Sequence, residues 1–242
     1  MSDLLARLRS ATPARVGLGR CGHALPTRAL LDFQFAHACA RDAVHEPFDP
    51  GRIIAALGER AVCVVHSRAP DRATYLQRAD LGRQLKPGDA SGLQRGEFEV
   101  VFVVADGLSA LAVHEHAVEL LRALFERNCD WASMPLIIAC QARVGLGDEI
   151  GERLGAKLVV VLIGERPGLS SPDSLGVYLT WSPRRGRQDS ERNCISKIRP
   201  PIGLSYELAA ARLAWLMSAA AQQRLTGVRL KDQSTQALSD GR

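Results

Sequence analysis

Short apolar runs alternate with amphipathic stretches through the middle of the chain. From residue 60 onward, runs rich in valine and isoleucine are separated by segments with helical periodicity. Such runs are typical of strands buried on both faces of a parallel sheet. The intervening segments are typical of the helices that cover those faces. The predicted strands are 61–65, 99–105, 136–140, 157–163 and 177–181. The predicted helices lie near 75–86, 109–127, 147–155 and 205–224.

Residues 1–58 show helical periodicity without strand-like runs. A long helix is predicted to open at Pro26-Thr27 and to end at Pro47 and Pro50. Its apolar positions are Leu30, Leu31, Phe33, Phe35, Ala38 and Ala43. The predicted fold class is therefore α/β, with a mostly parallel, Rossmann-like sheet that has helices on both faces and is preceded by an N-terminal helical arm. The predicted divisions are the arm at 1–58, the α/β domain at 59–227 and a polar tail at 228–242.

Three predicted strands end in segments with unusual residues. The second is followed by Asp106 and by Ser109, which is placed to cap the next helix. The third is followed by 141–147, and the fourth by 164–168, which begins Gly-Glu-Arg-Pro-Gly. A glycine-containing turn explains any one of these segments. Because ligands bind outside the carboxyl ends of strands in open α/β sheets, the three together predict a binding cleft at one sheet edge.

A dinucleotide site is one alternative at this edge. Gly145 and Gly147 follow a predicted strand and open a helix, and Glu165 ends the next strand 18 residues after Gly147, near the spacing of a nicotinamide-dinucleotide fingerprint. Asp148 and Glu149 argue against it, because acids in a first helical turn repel a pyrophosphate. An earlier match, 17–22, follows no predicted strand and is not expected to bind a nucleotide.

The chain is basic, with a formal net charge of +5, and arginine supplies nearly all of the excess. Six basic residues fall in the segment 182–199, which is predicted to be a loop. Its two interpretations are a solvated loop and a clamp on a phosphate or an acidic partner. With aromatic residues at only 5%, a nucleic-acid stacking surface is not favoured.

Cysteines and histidines give no reactive or metal-binding pattern. None of the six cysteines forms a C-x-x-C pair, which predicts reduced thiols and a cytoplasmic protein. His114 and His116 are two residues apart on one helix and make a poor metal pair, and His66 is read first as a structural histidine. No catalytic constellation can be assembled, no metal ligands are predicted, and the longest apolar run, 158–163, is too short for a membrane span.

Several stretches at these strand ends resemble the small subunit of ethanolamine ammonia-lyase. They are TPARVGLGRCG with LPTRALLDFQFAHACARDAV, YLQRADLGRQL, VVADGLSALAV, ARVGLGDEIGERLGAKLVVVLIGERPGL and YLTWSPRRGRQDSERNCISKIRPPIG. These stretches extend from residue 12 to about residue 225 in family order. The resemblance therefore covers nearly the whole chain.

The resemblance implies a two-subunit, adenosylcobalamin-dependent enzyme that converts ethanolamine to acetaldehyde and ammonia by a radical mechanism. A large barrel subunit is expected to bind ethanolamine, and the cobalamin is expected between that subunit and this chain, within a higher hetero-oligomer. The dimethylbenzimidazole is expected to remain on cobalt as the lower ligand. No catalytic residue, nucleic acid or membrane is expected for this chain.

The resemblance also implies three cobalamin contacts, at Val144, Glu165 and Cys194. Glu165 is expected to accept hydrogen bonds from corrin amides or a ribose hydroxyl, Val144 to offer backbone and apolar contact, and Cys194 to pack rather than to react. Arg143 is a weaker candidate beside Val144. Some family members carry an N-terminal extension that directs them into a microcompartment. The extension is not seen in this sequence, which predicts a free cytoplasmic enzyme.

Overall fold

The structure, a computed structural model, describes residues 2–12 and 14–234. Seven α-helices and six strands form along these residues. The helices are α1 (Ser2–Ala11), α2 (Thr27–His45), α3 (Pro50–Leu57), α4 (Arg72–Gln77), α5 (Ala110–Arg127), α6 (Val144–Leu154) and α7 (Tyr206–Gln223). The strands are β1 (Val62–His66), β2 (Phe98–Ala105), β3 (Leu136–Cys140), β4 (Ala156–Gly164), β5 (Leu175–Trp181) and β6 (Asn193–Ile198). None of the described helices is long and apolar enough to cross a membrane.

The predicted elements are mostly confirmed. Strands β1 to β5 coincide with the five predicted runs, and α5, α6 and α7 with three predicted helices. The predicted helix at 75–86 is wrong beyond Gln77, because a short 3₁₀ turn replaces it around Gly82. A Cβ at Gly82 would lie 2.9 Å from Arg143 Cγ, so this turn is packed tightly under the loop after β3.

The six strands form one mixed sheet in the order β1-β3-β2-β4-β5-β6. Strands β1, β3, β2 and β4 are parallel, whereas β5 and β6 are antiparallel additions. Helices α5 and α7 cover one face and α6 the other. The α/β class is therefore confirmed, and so are helices on both faces. The mostly parallel, Rossmann-like sheet is not confirmed, because β5 returns directly from β4 without a crossover helix.

The segment predicted as a helical arm contains α1, α2 and α3, with a non-helical stretch between α1 and α2. Pro50 opens α3 as well as closing the preceding segment, and the carboxylate of Asp49 caps α3 by accepting from Gly51 N at 2.8 Å. Ile53 of α3 is buried in the cluster that α5 covers. Phe35 of α2 is 73% exposed, so the described part of the chain leaves the apolar face of α2 uncovered.

The first residues of the predicted tail at 228–242 pack against the sheet domain. Leu230 is buried, and its carbonyl accepts a hydrogen bond from Asn193 Nδ2 at 2.9 Å. Residues 235–242 of the predicted tail lie outside the described residues. The described part of this segment therefore covers the edge strand β6.

A buried carboxylate joins the loops at the carboxyl edge of the sheet. Asp106 directly follows β2, and its Oδ1 accepts from Ala142 N, just past β3, at 2.8 Å. Its Oδ2 lies 3.3 Å from Arg72 Nη1, which also donates to Gly107 O at 2.8 Å. Burial raises the pKa of Asp106 to about 6, a rise opposed by the Ala142 N–H and by Arg72. At neutral pH Asp106 is therefore ionised, and these donors stabilise its buried charge.

Replacement of Asp106 tests whether it holds this edge. Asp106→Ala is expected to lower the free energy of unfolding by roughly 3 kcal/mol, because the Arg72 guanidinium and the Ala142 N–H lose their shared acceptor. Chemical denaturation followed by circular dichroism measures the change. Asp80→Ala is the control, since Asp80 pairs with Arg78 at the surface and such pairs contribute little. A variant at Asp106 as stable as the native chain would show that the carboxylate does not hold the loops.

Candidate functional site

Two adjoining cavities open at the carboxyl edge of the parallel strands, and together they form what we call the edge cleft. Their volumes are about 410 Å³ and about 940 Å³, which is the size range of small-molecule sites. The smaller cavity is lined by Tyr75, Gly107, Leu108, Arg143, Val144, Ile163, Gly164, Glu165, Arg166 and Tyr178. The larger is lined by Asp80, Arg83, Gln84, Arg143, Val144, Gly145, Asp148, Tyr178, residues 185–190 and Arg192. The edge cleft thus lies where the three strand-end segments predicted it.

Val144 is the first residue of α6 and lines both cavities. The preceding residue, Arg143, is extended and does not cap the helix with its side chain. Its guanidinium lies instead over the ring of Tyr75, 4.3 Å from the centroid. The backbone N–H of Arg143 donates to Gly82 O at 2.8 Å. These contacts fix the start of α6, so that Val144 presents backbone and an apolar side chain to the cleft.

Glu165 directly follows β4 and lines the smaller cavity. Its N–H donates to Ser174 O at 2.9 Å, at the point where the chain enters β5. Oε2 of Glu165 accepts from Ser174 Oγ at 2.5 Å and from Lys197 N at 3.2 Å. Oε1 makes no hydrogen bond with the described residues. The carboxylate is therefore held through one oxygen and can accept from a ligand with the other.

Cys194 lies outside the lining of the edge cleft, one strand away from it. It is exposed on β6 and pairs across the sheet with Tyr178 of β5, which lines both cavities. Its Sγ is 3.3 Å from Ser196 Oγ. Displacement of water by neighbouring protein atoms raises the pKa of the thiol, which makes it a poor nucleophile. The structure thus brings Val144 and Glu165 together and connects Cys194 to them through Tyr178.

The larger cavity is positively charged, since five arginines and three aspartates line it. Arg192 is paired with Asp148, and Arg187 with Glu191. Arg83 and Arg143 have no acidic partner among the described residues, and Arg185 lies 3.6 Å from Glu149 Oε2. An anionic group of a ligand would therefore be attracted to this part of the cleft.

The basic segment predicted as a loop over 182–199 is a loop only as far as Arg192. The residues after it form β6, and much of the predicted clamp is used inside the chain. Arg192 forms a buried ion pair with Asp148, and Arg199 binds Asp173. The partner acids lie 44 and 26 residues away in the sequence, so spacing could not have paired them.

Of the two glycines of the alternative dinucleotide site, only Gly147 is required by packing. A Cβ at Gly147 would lie 2.4 Å from Val161 Cγ2, so only glycine lets α6 approach the sheet at that point. A Cβ at Gly145 would lie 3.4 Å from the side chain of Arg83, an ordinary van der Waals contact. Glu149 accepts a hydrogen bond from Leu85 N at 2.9 Å, so the negative charge near this helix start supports the fold.

Sequence reasoning missed both tyrosines of the edge cleft. Tyr178 was assigned to a strand but not to a site, and Tyr75 was assigned to a helix that continued past it. The hydroxyl of Tyr75 donates to Ala142 O at 3.1 Å, and the residue is fully buried. A tyrosine within an otherwise apolar strand was the available signal for Tyr178. Nothing in the sequence places Tyr75 beside Ala142, which is 67 residues away.

The histidines singled out in the sequence are held by structural contacts. His66 Nδ1 lies 2.8 Å from Asp89 Oδ2, and His114 Nε2 accepts from Asp49 N at 3.0 Å. His116 Nδ1 lies 2.8 Å from the hydroxyl of Tyr206. His114 and His116 therefore have different surroundings, as their spacing predicts.

Comparison with known proteins identifies the family. Residues 2–231 match the family described as "Ethanolamine ammonia-lyase light chain (EutC)". The chain is 54% identical over 237 residues to the ethanolamine ammonia-lyase small subunit of Pseudomonas fluorescens (strain Pf0-1), covering 94% of this chain and 86% of that protein. It is 53% identical over 245 residues to the Azotobacter vinelandii small subunit, covering 97% and 90%. It is also 53% identical over 235 residues to that of Ralstonia nicotianae, covering 93% and 87%. The chain therefore belongs to the ethanolamine ammonia-lyase small-subunit family and is a lyase subunit of a two-subunit enzyme.

Proposed function

We propose that this chain helps to bind adenosylcobalamin in the edge cleft, at its interface with the large subunit. The observation that carries the proposal is that Val144 and Glu165 line one cavity. They come from the ends of different strands, and the family resemblance names both as cobalamin contacts. Cys194 is expected to contact the cofactor beside Tyr178, from the strand next to the cleft.

The residues of the edge cleft fit the chemistry of this cofactor. Corrin side chains end in amides, which donate hydrogen bonds, and Oε1 of Glu165 is an acceptor without a partner among the described residues. The nucleotide part of the cofactor carries a phosphodiester, which Arg83 and Arg143 would attract. No histidine occurs among the residues described as lining the cleft. This agrees with a cofactor that retains its own dimethylbenzimidazole as the lower cobalt ligand.

The proposed task of this chain is to bind and orient the cofactor. When bound, adenosylcobalamin supplies the radical chemistry that converts ethanolamine to acetaldehyde and ammonia. Glu165 would fix the rotation of the corrin by accepting from its amide groups, while Val144 and the ring of Tyr178 would exclude water from its edge. The catalytic residues and the ethanolamine site are assigned to the large subunit.

The surface of this chain supports a large partner. The edge cleft opens to solvent at the end of the sheet, so a second surface is needed to enclose a ligand as large as a cobalamin. The apolar side chains of α2, including Phe35 and Leu31, are exposed and are suited to a protein contact. We expect a higher hetero-oligomer of both subunits. The free thiols of the described cysteines favour the reducing cytoplasm as its location.

The first prediction concerns activity of the isolated chain. Purified alone, it is expected to show no release of ammonia from ethanolamine, with or without adenosylcobalamin, because the described residues that line its cleft form no catalytic group. Addition of the large subunit together with adenosylcobalamin is expected to give activity. A coupled assay that reduces the acetaldehyde product measures this. Deamination by this chain without its partner would overturn the assignment of catalysis to the large subunit.

The second prediction concerns Glu165. Glu165→Ala is expected to weaken cobalamin retention by the reconstituted complex about tenfold, the effect of losing one hydrogen bond of roughly 1.4 kcal/mol to a charged group. Glu165→Gln keeps an acceptor oxygen and is expected to lose less. Cofactor retention is measured by the visible spectrum after gel filtration, and subunit association by the elution volume.

The control for Glu165 is Glu99→Ala, at the opposite end of the sheet, where Glu99 forms a surface ion pair with Lys157. Retention by this variant is expected to match the native complex. If Glu165→Ala retains cobalamin as well as Glu99→Ala does, Glu165 does not contact the cofactor. Loss of subunit association in Glu165→Ala would instead assign its role to the interface.

A further inference from the structure

A second cluster of ligating side chains lies on the face of the sheet that α5 and α7 cover. It consists of Glu115 and His116 of α5 and Asp173 of the β4–β5 loop, and we call it the α5 cluster. Their ligating atoms all lie within 4.8 Å of one another. His116 Nε2 is 3.9 Å from Glu115 Oε2 and 3.9 Å from Asp173 Oδ2. These three atoms therefore surround a single point.

Only one of the two ring nitrogens of His116 has a hydrogen-bond partner among the described residues. The residue is 5% exposed, and its Nδ1 lies at hydrogen-bond distance, 2.8 Å, from the hydroxyl of Tyr206. Its Nε2 is buried and has no hydrogen-bond partner among the described residues. A buried nitrogen without a partner is costly and calls for an explanation. The two carboxylates of the cluster each lie 3.9 Å from Nε2, which is too long for a hydrogen bond to either.

A neutral imidazole accounts for the contact with Tyr206. With its hydrogen on Nδ1, His116 donates to the Tyr206 hydroxyl, and the lone pair of Nε2 points toward Glu115 and Asp173. The point between the three side chains then faces one nitrogen lone pair and two carboxylate oxygens, and all three can accept but not donate. A cation satisfies all three at once.

We propose that the α5 cluster binds one divalent first-row transition-metal ion of the Zn²⁺ class through His116 Nε2, Glu115 and Asp173. Imidazole and carboxylate are ligands that Zn²⁺ accepts at about 2.0–2.2 Å, and three protein ligands leave one position for water. Ligand atoms around tetrahedral zinc are about 3.3 Å apart, so the 3.9 Å separations need to contract slightly. Glu115 can move, since its side chain is 43% exposed.

Two neighbouring groups orient the ligands as metal sites require. The Tyr206 hydroxyl lies 2.8 Å from Nδ1 and, by accepting from it, would fix the ring and tautomer of His116. Arg199 binds Oδ1 of Asp173 and leaves Oδ2 toward the cluster. The guanidinium of Arg199 opposes a cation, but the two carboxylates outweigh its single charge. A bound ion would join α5 to the β4–β5 loop, which begins at Glu165.

A titration of the full-length chain with Co²⁺, after treatment with a chelator, tests the site. We expect one equivalent to bind with the visible absorption of nitrogen and oxygen ligation, and Zn²⁺ to displace it. His116→Asn is expected to weaken Co²⁺ binding at least tenfold, and Tyr206→Phe to weaken it about tenfold because the ring loses its orienting partner. His37→Asn is the matched control, because His37 is an exposed histidine of α2, and its Co²⁺ affinity is expected to be unchanged.

Circular dichroism shows whether each variant folds. If His116→Asn does not fold, Glu115→Gln decides, since the side chain of Glu115 is partly exposed and its replacement should leave the fold intact while Co²⁺ binding weakens about tenfold. Three results would overturn the proposal. They are no Co²⁺ binding by the native chain, native affinity in both His116→Asn and Glu115→Gln, or the intense near-ultraviolet band of cobalt–thiolate ligation, which would assign the ion to cysteines.

Discussion

The buried carboxylate of Asp106 is the contact on which the geometry of the edge cleft depends. It joins the ends of β2 and β3 through the N–H of Ala142, and it holds Arg72 at the start of α4. Tyr75, one turn further along α4, donates to the carbonyl of the same Ala142. The loop after β3 is therefore fixed from two sides, and this loop leads directly into Val144 and α6. Because the charge of Asp106 is costly to bury, these donors and the geometry that they impose are required together.

The sequence was sufficient for most of the fold, because strands buried on both faces are continuous apolar runs. It failed at β6, Asn193–Ile198, an edge strand whose burial is irregular and whose residues are half polar. It failed again after Gln77, where helical residues continue but Gly82 is packed tightly in a turn. The sequence also could not predict the direction of β5, since an apolar run carries no information on whether the strand is parallel or antiparallel. These three features are determined by tertiary contacts rather than by local conformational preference.

The candidate site was predictable to the extent that it lies at strand ends. Val144 and Glu165 follow strands that the apolar pattern located, and the rule that ligands bind at the carboxyl edge placed them together before the structure did. Tyr75 and Arg83 join the cleft through packing between distant segments, which no periodicity reports. The same holds for Asp173, which approaches His116 only because the β4–β5 loop folds over α5. The histidine spacing of that helix therefore gave no sign that Asp173 lies beside His116.

The β4–β5 loop is anchored by contacts on the side that faces α5. Ser109 caps α5 and donates to the carbonyl of Pro172 at 2.9 Å, Arg199 binds Asp173, and Ser174 holds Glu165. The loop is thus anchored from the α5 face while Glu165 faces the cleft, so little ordering entropy would be lost when a ligand binds there. On its open side, the cleft is not covered by any of the described residues. A rigid half-site that is open on one side would suit the proposed role, in which this chain orients the cofactor and the large subunit encloses it.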